Sequence, residues 1–398
     1  MGNSTAEVSN KNVSNKKVNH KTTPSAAQRY VVKLLEQADI RINGDRPWDI
    51  QVHNEAVFSR ILSSGTHLAF AESYMQNWWD TQSLDQLITR ILSARLDKKV
   101  PKLGRLQLLK AVLNAAFLNK QSPERAFEVG EVHYDIGNDL YEKMLDPRMI
   151  YSCAYWPGAE TLEQAQEQKL DLICRKLELA PGMQLLDIGC GWGGLAEFAA
   201  RRYGVDVVGI TISKEQQKLA RERCAGLPVD IRLVDYRALE GQFDRIVSVG
   251  MFEHVGRKNH RVYFETVRRL LARDGLFLLH TIGADKARHG VDPFIEKYIF
   301  PNGEIPSRHS VNQSSLDLLR LEDWHNFGPD YDRTLMAWWH NFDRAWPELK
   351  ERYDHNHFYR MWKFYLLSSA GYFRSRGGQL WQIVFSHLDS NREYRSLR

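Results

Sequence analysis

Residues 185–196 read LLDIGCGWGGLA, an apolar run that passes directly into a turn with four glycines. The run has the length and composition of a buried strand, and the residues after the glycines continue as the start of a helix. Glycine lets the backbone approach a ligand closely, and the first turn of a helix presents free N–H groups. The stretch therefore predicts a strand, a ligand-binding turn and a helix in immediate succession.

Asp187 distinguishes between two kinds of cofactor site. Gly189, Gly191 and Gly194 satisfy the GxGxxG fingerprint of dinucleotide-binding proteins as well. NAD-binding strands usually carry an apolar or small residue two positions before the first glycine. Here Asp187 opens a DxGxGxG pattern, which resembles the first motif of class I S-adenosylmethionine-dependent methyltransferases. Its carboxylate is suited to organise the loop and to meet the cationic amino-acid end of the cofactor. A glycine turn that serves packing alone is the alternative.

Strand and helix patterns alternate beyond this turn. The predicted strands are MQLLDIG (183–189), VDVVGIT (205–211), VDIRLVD (229–235), FDRIVSVG (243–250) and GLFLLHTIG (275–283), with helices from Gly194, from Glu215 and near Tyr263. This alternation predicts an α/β fold with a mostly parallel sheet and helices on both faces. Together with the resemblance at Asp187, it makes the expected fold a Rossmann-like class I methyltransferase domain. Ligands are expected at the carboxyl ends of the strands.

Polar side chains follow the second and third strands. Thr211 ends the second strand, where nucleotide-binding sheets often place an acid for the ribose, and Ser213 and Gln216 come shortly after. Asp235 and Tyr236 end the third strand and are predicted to contact adenine. The alternative for TISKEQ is that it merely caps the next helix through Ser213, and both interpretations can hold together.

The 398 residues exceed what one hydrophobic core usually organises, so we expect a larger and a smaller domain. Helical patterns early in the chain surround a predicted hairpin, in which IRING and WDIQV flank Gly44 and Asp45. The expected parts are a disordered polar tail (1–28) without the apolar core of a secretory signal, a small, mainly helical domain (29–120), a linker (121–130) and a catalytic domain (131–398).

Aromatic residues are concentrated within the segment 284–385. Sixteen of them lie between Trp324 and Trp381, a density far above that of the whole chain. Most are expected to pack in the core, and a few are expected to line a channel that encloses something large and apolar.

Basic residues cluster between positions 90 and 110, a segment in which Asp97 is the single acid. They are Arg90, Arg95, Lys98, Lys99, Lys102, Arg105 and Lys110. Interleaved with leucine and valine, they predict contact with anionic lipid, although a solvated helix face explains them as well. No apolar stretch approaches the roughly 18 to 20 residues of a transmembrane helix, so any membrane contact is expected to be peripheral.

The four cysteines, Cys153, Cys174, Cys190 and Cys224, show no CxxC spacing. This argues against a disulfide framework and against a zinc site, and no metal is expected. A reducing cytoplasm fits this cysteine usage best.

Several long motifs in a fixed order resemble those of bacterial cyclopropane-fatty-acyl-phospholipid synthases, from about Arg29 to Phe385. They are EVHYDIGNDLYEKMLDPRMIYSCAYW (131–156), LDIGCGWGG, GITISKEQ, DRIVSVGMFEHVG (244–256), LLHTIG (278–283), EKYIFPNGEIPS (296–307) and EDWHNFGPDYDRTLMAW (322–338). The resemblance implies a homodimer at the inner face of the cell membrane that binds S-adenosylmethionine over the sheet, with bicarbonate as base. Membrane phospholipids with unsaturated acyl chains would be the partners, and no nucleic acid is expected.

The resemblance also implies the site residues. Cofactor contacts fall on Tyr151, Ser152, Leu186, Asp187, Ile188, Gly189, Cys190, Gly191, Trp192, Gly193, Gly194, Thr211, Ile212, Ser213, Lys214, Glu215, Gln216, Asp235 and Tyr236. The bicarbonate pocket comprises Cys153, Glu253, His280, the backbone of Ile282, and Tyr331. In isolation, Glu253 would pass for an ordinary strand-end residue and His280 for a buried strand histidine.

One position departs from the family pattern. The family often shows cysteine in the stretch that matches LLSSAGYFR, where this chain has Ser369. This puts an obligatory thiol, and a covalent cysteine mechanism, in doubt. Ser369 itself is kept as a candidate catalytic residue.

The reaction implied is methylene transfer to a lipid double bond, which passes through a carbocation. The aromatic-rich segment 284–385 is then the expected acyl-chain region. Aromatic faces, with Tyr331, Trp338 and Tyr365 as candidates, stabilise such a cation and exclude water from it. Three alternatives remain open: a methyltransferase acting on another lipid or a small molecule, a nicotinamide oxidoreductase, and a non-catalytic lipid-binding protein. Asp187 and Thr211 disfavour the oxidoreductase, and the intact glycine turn disfavours the non-catalytic protein.

Overall fold

The computed structural model describes residues 24–64, 67–99, 137–286, 292–355 and 357–398. Most of the predicted tail and the whole predicted linker lie outside these ranges, as do Lys102, Arg105 and Lys110 of the basic segment. Those predictions therefore stay predictions. Within the described ranges, no helix is both long and apolar enough to cross a bilayer.

The N-terminal part of the chain consists of short helices around a two-stranded sheet. Its elements are α1 (Ala26–Glu36), β1 (Gln51–Val52), α2 (Ala56–Ser64), α3 (His67–Met75), β2 (Trp79–Asp80) and α4 (Leu84–Ser93). The apolar residues of α1 and α4 recur at helical spacing and are buried on one face.

The predicted hairpin around Gly44 is wrong. β1 pairs antiparallel with the distant β2 instead of with the residues before the turn. The reason is the carboxylate of Asp49, which is almost fully buried and accepts the backbone N–H groups of Arg41 at 2.8 Å and Arg46 at 3.1 Å. The turn closes around this side chain. Its two sides form one isolated bridge, between Ile42 and Ile50, and this bridge is parallel, whereas a hairpin requires antiparallel pairing.

The rest of the chain alternates between strands and helices. The strands are β3 (Gln184–Ile188), β4 (Asp206–Thr211), β5 (Val229–Leu233), β6 (Phe243–Val249), β7 (Leu271–Gly283), β8 (Leu319–Asn326) and β9 (Gln379–His387). The helices are α5 (Asn138–Met144), α6 (Leu162–Lys176), α7 (Gly194–Tyr203), α8 (Lys214–Arg223), α9 (His260–Leu270), α10 (Pro293–Tyr298), α11 (Arg308–Ser315), α12 (Pro329–Tyr353) and α13 (Phe358–Arg374).

These strands form one sheet in the order β5-β4-β3-β6-β7-β9-β8. The strands from β5 to β7 in this order are parallel, whereas β9 runs antiparallel to both of its neighbours. The predicted α/β fold with a mostly parallel sheet is confirmed. The chain leaves β3 toward β4 and β5 and then returns to β6 on the other side, so a crevice is expected at the carboxyl ends of β3 and β6.

The N-terminal helices share one hydrophobic core with α12 and α13. Trp79 from β2, Trp338 from α12 and Trp362 from α13 are fully buried in the same cluster. At Gly371 of α13, a Cβ atom would lie 2.8 Å from the carbonyl oxygen of Asp85, so the glycine permits close packing against α4. Most of the aromatic residues of the C-terminal segment are buried in the core, as expected.

Candidate active site

A cleft opens at the carboxyl ends of β3, β4 and β6. This is the place where the order of the strands in the sheet reverses, and where a ligand site is expected. Many of the predicted cofactor residues line it. They are Tyr151, Ser152, Asp187, Ile188, Gly189, Cys190, Gly191, Trp192, Gly194, Thr211, Ile212, Gln216, Asp235 and Tyr236. Their contact with a bound cofactor stays a prediction.

Two glycines of the turn are required by geometry. Gly189 has φ +82°, and a Cβ there would lie 2.8 Å from Met251. Gly194 begins α7, and a Cβ there would lie 2.6 Å from the carbonyl oxygen of Arg148. Gly189 thus allows Met251 to pack against the turn, and Gly194 allows the segment before Tyr151 to close over the start of α7.

Asp187 is a buried carboxyl group in the wall of the cleft. Its side chain is 1% exposed, and its Oδ2 atom has no hydrogen-bond partner among the described residues. Burial raises the pKa of Asp187 to about 7, and the nearby Lys169 acts in the opposite direction. A buried acceptor without a partner fits a ligand that carries a hydrogen-bond donor, such as the ammonium group of S-adenosylmethionine.

The segment after β4 serves two purposes. Ser213 caps α8, because its Oγ accepts the N–H of Gln216 at 3.3 Å. The hydroxyl of Thr211 donates to Oε1 of Gln216 at 2.8 Å, and both of these side chains line the cleft. The helix-capping interpretation is therefore confirmed. The hydroxyl oxygen of Thr211 also accepts the backbone N–H of Ser213 at 3.1 Å, so it is already used within the chain.

The structure does not bring the remaining predicted cofactor residues to the cleft wall. Lys214 and Glu215 lie exposed on the outer face of the first turn of α8. Gly193 packs against Ala220, and Leu186 points to the opposite face of β3 from Asp187, into the core. The oxygen of Ser213 is used by its own helix.

Asp235 and Tyr236 follow the end of β5. The carboxylate of Asp235 forms an ion pair with Arg237 at 2.6 Å, and it also accepts the backbone N–H of Arg237 at 2.9 Å. The ring of Tyr236 packs edge-on against Tyr263 with their centroids 5.3 Å apart. Both side chains are thus held in place at the rim of the cleft.

Glu253 lies just after β6, and His280 lies near the end of the neighbouring strand β7. Oε1 of Glu253 accepts the backbone N–H of Ile282 at 2.7 Å, and Nδ1 of His280 lies 3.4 Å from the amide nitrogen of Gln382. The other polar atom of each side chain, Oε2 of Glu253 and Nε2 of His280, is buried without a hydrogen-bond partner in the described part of the chain. Burial raises the pKa of Glu253 and lowers the pKa of His280, so the imidazole is neutral.

Tyr331 and Cys153 complete this group. Burial is the main cause that raises the pKa of Tyr331, and the nearby Cys153 and Glu253 raise it further. Cys153 is fully buried, its thiol donates to the carbonyl of Ala154 at 3.2 Å, and burial raises its pKa well above the ordinary value. The tyrosine and the cysteine are therefore both protonated at neutral pH.

Aromatic rings connect the cleft to this group. The hydroxyl groups of Tyr151 and Tyr365 lie 2.9 Å apart, and the ring of Tyr151 packs against Trp338 with centroids 5.1 Å apart. Trp338 in turn meets Tyr331 edge-on at 6.0 Å. The wall between the cleft and Glu253 is thus apolar and rich in π faces.

Ser369 lies on α13, one turn after Tyr365. Its side chain is partly exposed and does not line the cleft. A catalytic part for Ser369 stays an untested prediction.

Lys169, His254 and the segment Pro301–Asn302 also line the cleft, and the sequence did not indicate them. Lys169 lies within the polar stretch EQAQEQKLDLIC, which looks like a solvated helix face, yet the side chain is fully buried. His254 was within reach of prediction, since it follows Glu253 directly at the end of a predicted strand.

Known proteins resemble the chain over most of its length. Residues 121–383 match the family described as mycolic acid cyclopropane synthetase. The chain is 54% identical over 358 residues to the cyclopropane-fatty-acyl-phospholipid synthase of Escherichia coli strain K12. The aligned region covers 90% of this chain and 93% of that protein. The solved structure of the cyclopropane synthase MmaA2 from Mycobacterium tuberculosis has a TM-score of 0.61 and 33% identity, over 65% of this chain and 97% of that one. A mycolic acid cyclopropane synthase complexed with SAH and CTAB has a TM-score of 0.61 and 32% identity over the same shares.

Proposed function

The chain belongs to the cyclopropane-fatty-acyl-phospholipid synthases, a family of S-adenosylmethionine-dependent methyltransferases, and from this membership we propose that it makes cyclopropane acyl chains in membrane phospholipids. A methylene group would be added across a cis double bond, leaving S-adenosylhomocysteine as the second product. The bicarbonate-assisted mechanism and the residues described below are part of this proposal.

S-adenosylmethionine supplies an electrophilic methyl group on a sulfonium centre. The chain's contribution is to hold that group and an alkene at near-attack distance, which accounts for much of the acceleration in reactions of this kind. The fit of the cleft supports this role, since Asp187 offers a buried acceptor at one wall and Gly189 lines the cleft without a side chain.

Aromatic residues would protect the positive charge that develops on the acyl chain. Tyr151, Trp338, Tyr331 and Tyr365 form a buried group beside the cleft, and each face stabilises a desolvated cation by about 1 to 2 kcal/mol. Their packing also keeps out water, which would otherwise capture the cation as an alcohol.

Bicarbonate would bind between Glu253, His280 and Tyr331 and would supply the base for ring closure. The unpartnered Oε2 of Glu253 suits a bound hydroxyl group as acceptor. If Gln382 donates to Nδ1 of His280, the proton of the neutral ring is on Nε2, which then donates, as the Tyr331 hydroxyl does. The main support for this mechanism is that Oε2 of Glu253, an acceptor, and Nε2 of His280, a donor, are both buried without a partner among the described residues.

A protein carboxylate would be a poor choice as the direct base. A carbocation next to an ionised Glu253 would alkylate it and inactivate the enzyme. Because Ile282 fixes Oε1 of Glu253, the side chain is held to bind a small anion instead. The buried, protonated Cys153 and the partly exposed Ser369 give no support to a covalent route.

We further propose a homodimer in the cytoplasm that contacts the inner face of the membrane peripherally. Of the basic segment, Arg95, Lys98 and Lys99 are exposed, and each basic residue near an anionic bilayer gains about 1 kcal/mol. Reversing the charge of Lys98, Lys99 and Lys102 should abolish binding to vesicles that contain phosphatidylglycerol. Binding that persists in the triple variant contradicts the lipid-contact proposal.

The direct test is fatty-acid analysis of cells that express the chain or its Glu253→Gln variant. The native chain should give a fatty acid heavier by one CH2 that contains no double bond, and the variant should give little of it. A methyl-branched fatty acid would instead favour the alternative, a methyltransferase acting on lipid without ring closure. Methylated small molecules without any new lipid would contradict the acceptor class.

A further inference from the structure

Lys169 is a fully buried charge that the proposed reaction does not use. It lies on α6, lines the cleft, and donates from Nζ to Oγ of Ser152 at 2.9 Å. A buried ammonium group is costly unless a partner compensates it. Its position at the wall of a ligand-binding cleft therefore calls for a reason.

The hydrogen bond to Ser152 fixes the direction in which that hydroxyl acts. An ammonium group has only hydrogens to offer, so Oγ of Ser152 must be the acceptor. The hydroxyl hydrogen of Ser152 is then free to donate, and Ser152 itself lines the cleft. A hydroxyl that accepts from an ammonium group is polarised and becomes a stronger donor to an anion.

Asp187 presents the opposite chemistry in the same cleft. Its Oδ2 is a buried acceptor without a partner in the described part of the chain, and its charge acts on Lys169. The cleft therefore offers one positively polarised donor and one negatively charged acceptor. An α-amino acid, with its carboxylate and its ammonium group, matches this pair.

We propose that Lys169 is a positioning residue that acts through Ser152 to bind the α-carboxylate of the amino-acid end of S-adenosylmethionine, while Asp187 binds the α-ammonium group. The inference rests on the proposed function, because it presumes that the cofactor occupies this cleft. It assigns a task to a residue that the motifs do not mark.

The charge of Lys169 survives its burial. Burial lowers the pKa of Lys169 to about 8, and Asp146, Cys153 and Asp187 oppose that shift. Asp146 in turn accepts the backbone N–H groups of Arg148 and Ile150, at 3.1 and 2.9 Å, and so holds the chain that leads to Ser152. The ammonium form therefore predominates at neutral pH, and the Ser152 segment is anchored around it.

Lys176 provides a matched control on the same helix. It is also fully buried, two turns after Lys169, and burial lowers its pKa to about 8 as well. It contacts Nδ1 of His325 at 3.0 Å and Asp323 at 3.6 Å, and it does not line the cleft. Replacing either lysine removes a buried charge, but only replacing Lys169 also removes a residue that lines the cleft.

The experiment is calorimetric binding of two probes, S-adenosylhomocysteine and its decarboxylated analogue, which keeps the adenosine, thioether and ammonium groups. For Lys169→Met we expect affinity for S-adenosylhomocysteine to fall about 10- to 100-fold and affinity for the analogue to change less than about twofold. Lys176→Met should leave the affinity for both probes unchanged.

Ser152→Ala removes a single oxygen atom, so it disturbs the packing little. It replaces Lys169→Met as the test variant if Lys169→Met does not fold. It should weaken S-adenosylhomocysteine alone, and in the double variant the two losses should not add. Equal losses for both probes, or no loss for either, would overturn the assignment. Failure of the native chain to bind S-adenosylhomocysteine would instead contradict the proposed function itself.

Discussion

The backbone N–H of Ile282 donates a 2.7 Å hydrogen bond to Oε1 of Glu253, so β7 fixes one oxygen of this carboxylate. The other oxygen, Oε2, is buried and has no partner within the described residues. The two oxygens therefore have separate tasks. One orients the side chain, and the other is available to the reaction.

Glu253→Gln should separate these tasks. The amide oxygen can still accept from Ile282, so we expect the folded state and the affinity for S-adenosylhomocysteine to be retained. The amide nitrogen replaces the free acceptor with a donor, and turnover should fall by about 10²- to 10⁴-fold. Turnover is measured on phospholipid vesicles, with the exposed Glu265→Gln on α9 as control. A variant that keeps more than about a tenth of native turnover contradicts the role of Glu253.

Binding of a cationic ligand should drive a proton from Asp187. Burial raises the pKa of this carboxyl to about 7, so it is largely protonated at pH 6, and an ammonium group beside it favours the ionised form. Affinity for S-adenosylhomocysteine should therefore rise as the pH increases through about 7. Calorimetry at pH 6 in two buffers of different ionisation enthalpy detects the released proton. Equal heats in both buffers, or the same release from Asp187→Asn, would exclude this carboxyl as the source.

His260 should destabilise the protein in acid. It stacks on Phe252 at 4.3 Å, both of its ring nitrogens lack partners among the described residues, and burial lowers its pKa from 6.5 to about 4. Since the unfolded state binds the proton first, stability is lost as pH falls from about 6.5 toward 4. His260→Phe should gain about 2 kcal/mol relative to the native chain on going from pH 8 to pH 5. Urea denaturation at both pH values measures this, and parallel pH curves would contradict it.

Gly189→Ala should impair the cofactor cleft specifically. The substitution meets both a φ of +82° and Met251 at 2.8 Å, so the turn must shift, and affinity for S-adenosylhomocysteine should fall at least about tenfold. Gly226→Ala is the control, because Gly226 has φ +78° but no atom within 4 Å of the added Cβ. It should cost about 1 kcal/mol of stability and leave binding intact. Equal binding losses in the two variants would show that backbone strain alone is responsible.

The cysteines should be chemically inert in the native protein. All four are buried, and burial raises their pKa values, that of Cys224 to about 11. The thiolate is the reactive form, so reaction with a disulfide reagent at pH 8 should be slow until denaturant is added. One thiol that reacts rapidly in the folded protein would contradict this description and would reopen a covalent role for Cys153.

The sequence predicts the parallel part of the fold well because its signals are local. Strands such as β3 and β6 are buried on both faces and read as short apolar runs bounded by turn residues. β8 was not predicted, since its polar LRLEDWHN alternates and is half exposed. The insertion of β9 between β7 and β8 was not predicted either, because it depends on pairing across distant parts of the chain.

In the site, too, residues set by local sequence could be predicted, and residues set by tertiary packing could not. Asp187 and the glycines are set by the turn they occupy, and they could be identified from their spacing. Lys169 could not, because a charged residue in a polar helix looks solvated until tertiary packing buries it. Lys214 belongs to the same continuous motif as Thr211 and Gln216, yet it is exposed on α8, whereas those two side chains line the cleft.

The common core of α1 to α4 with α13 has a consequence for biosynthesis. About 265 residues separate the end of α4 from the start of α13, and a ribosome needs roughly 10 to 50 s to make them at about 5 to 20 residues per second. Throughout that interval the nascent N-terminal helices expose the apolar face that α13 later covers, including the surface around Trp79. The early helices can therefore complete their packing only once α13 has been made, and the yield in the cell should depend on chaperones that bind them.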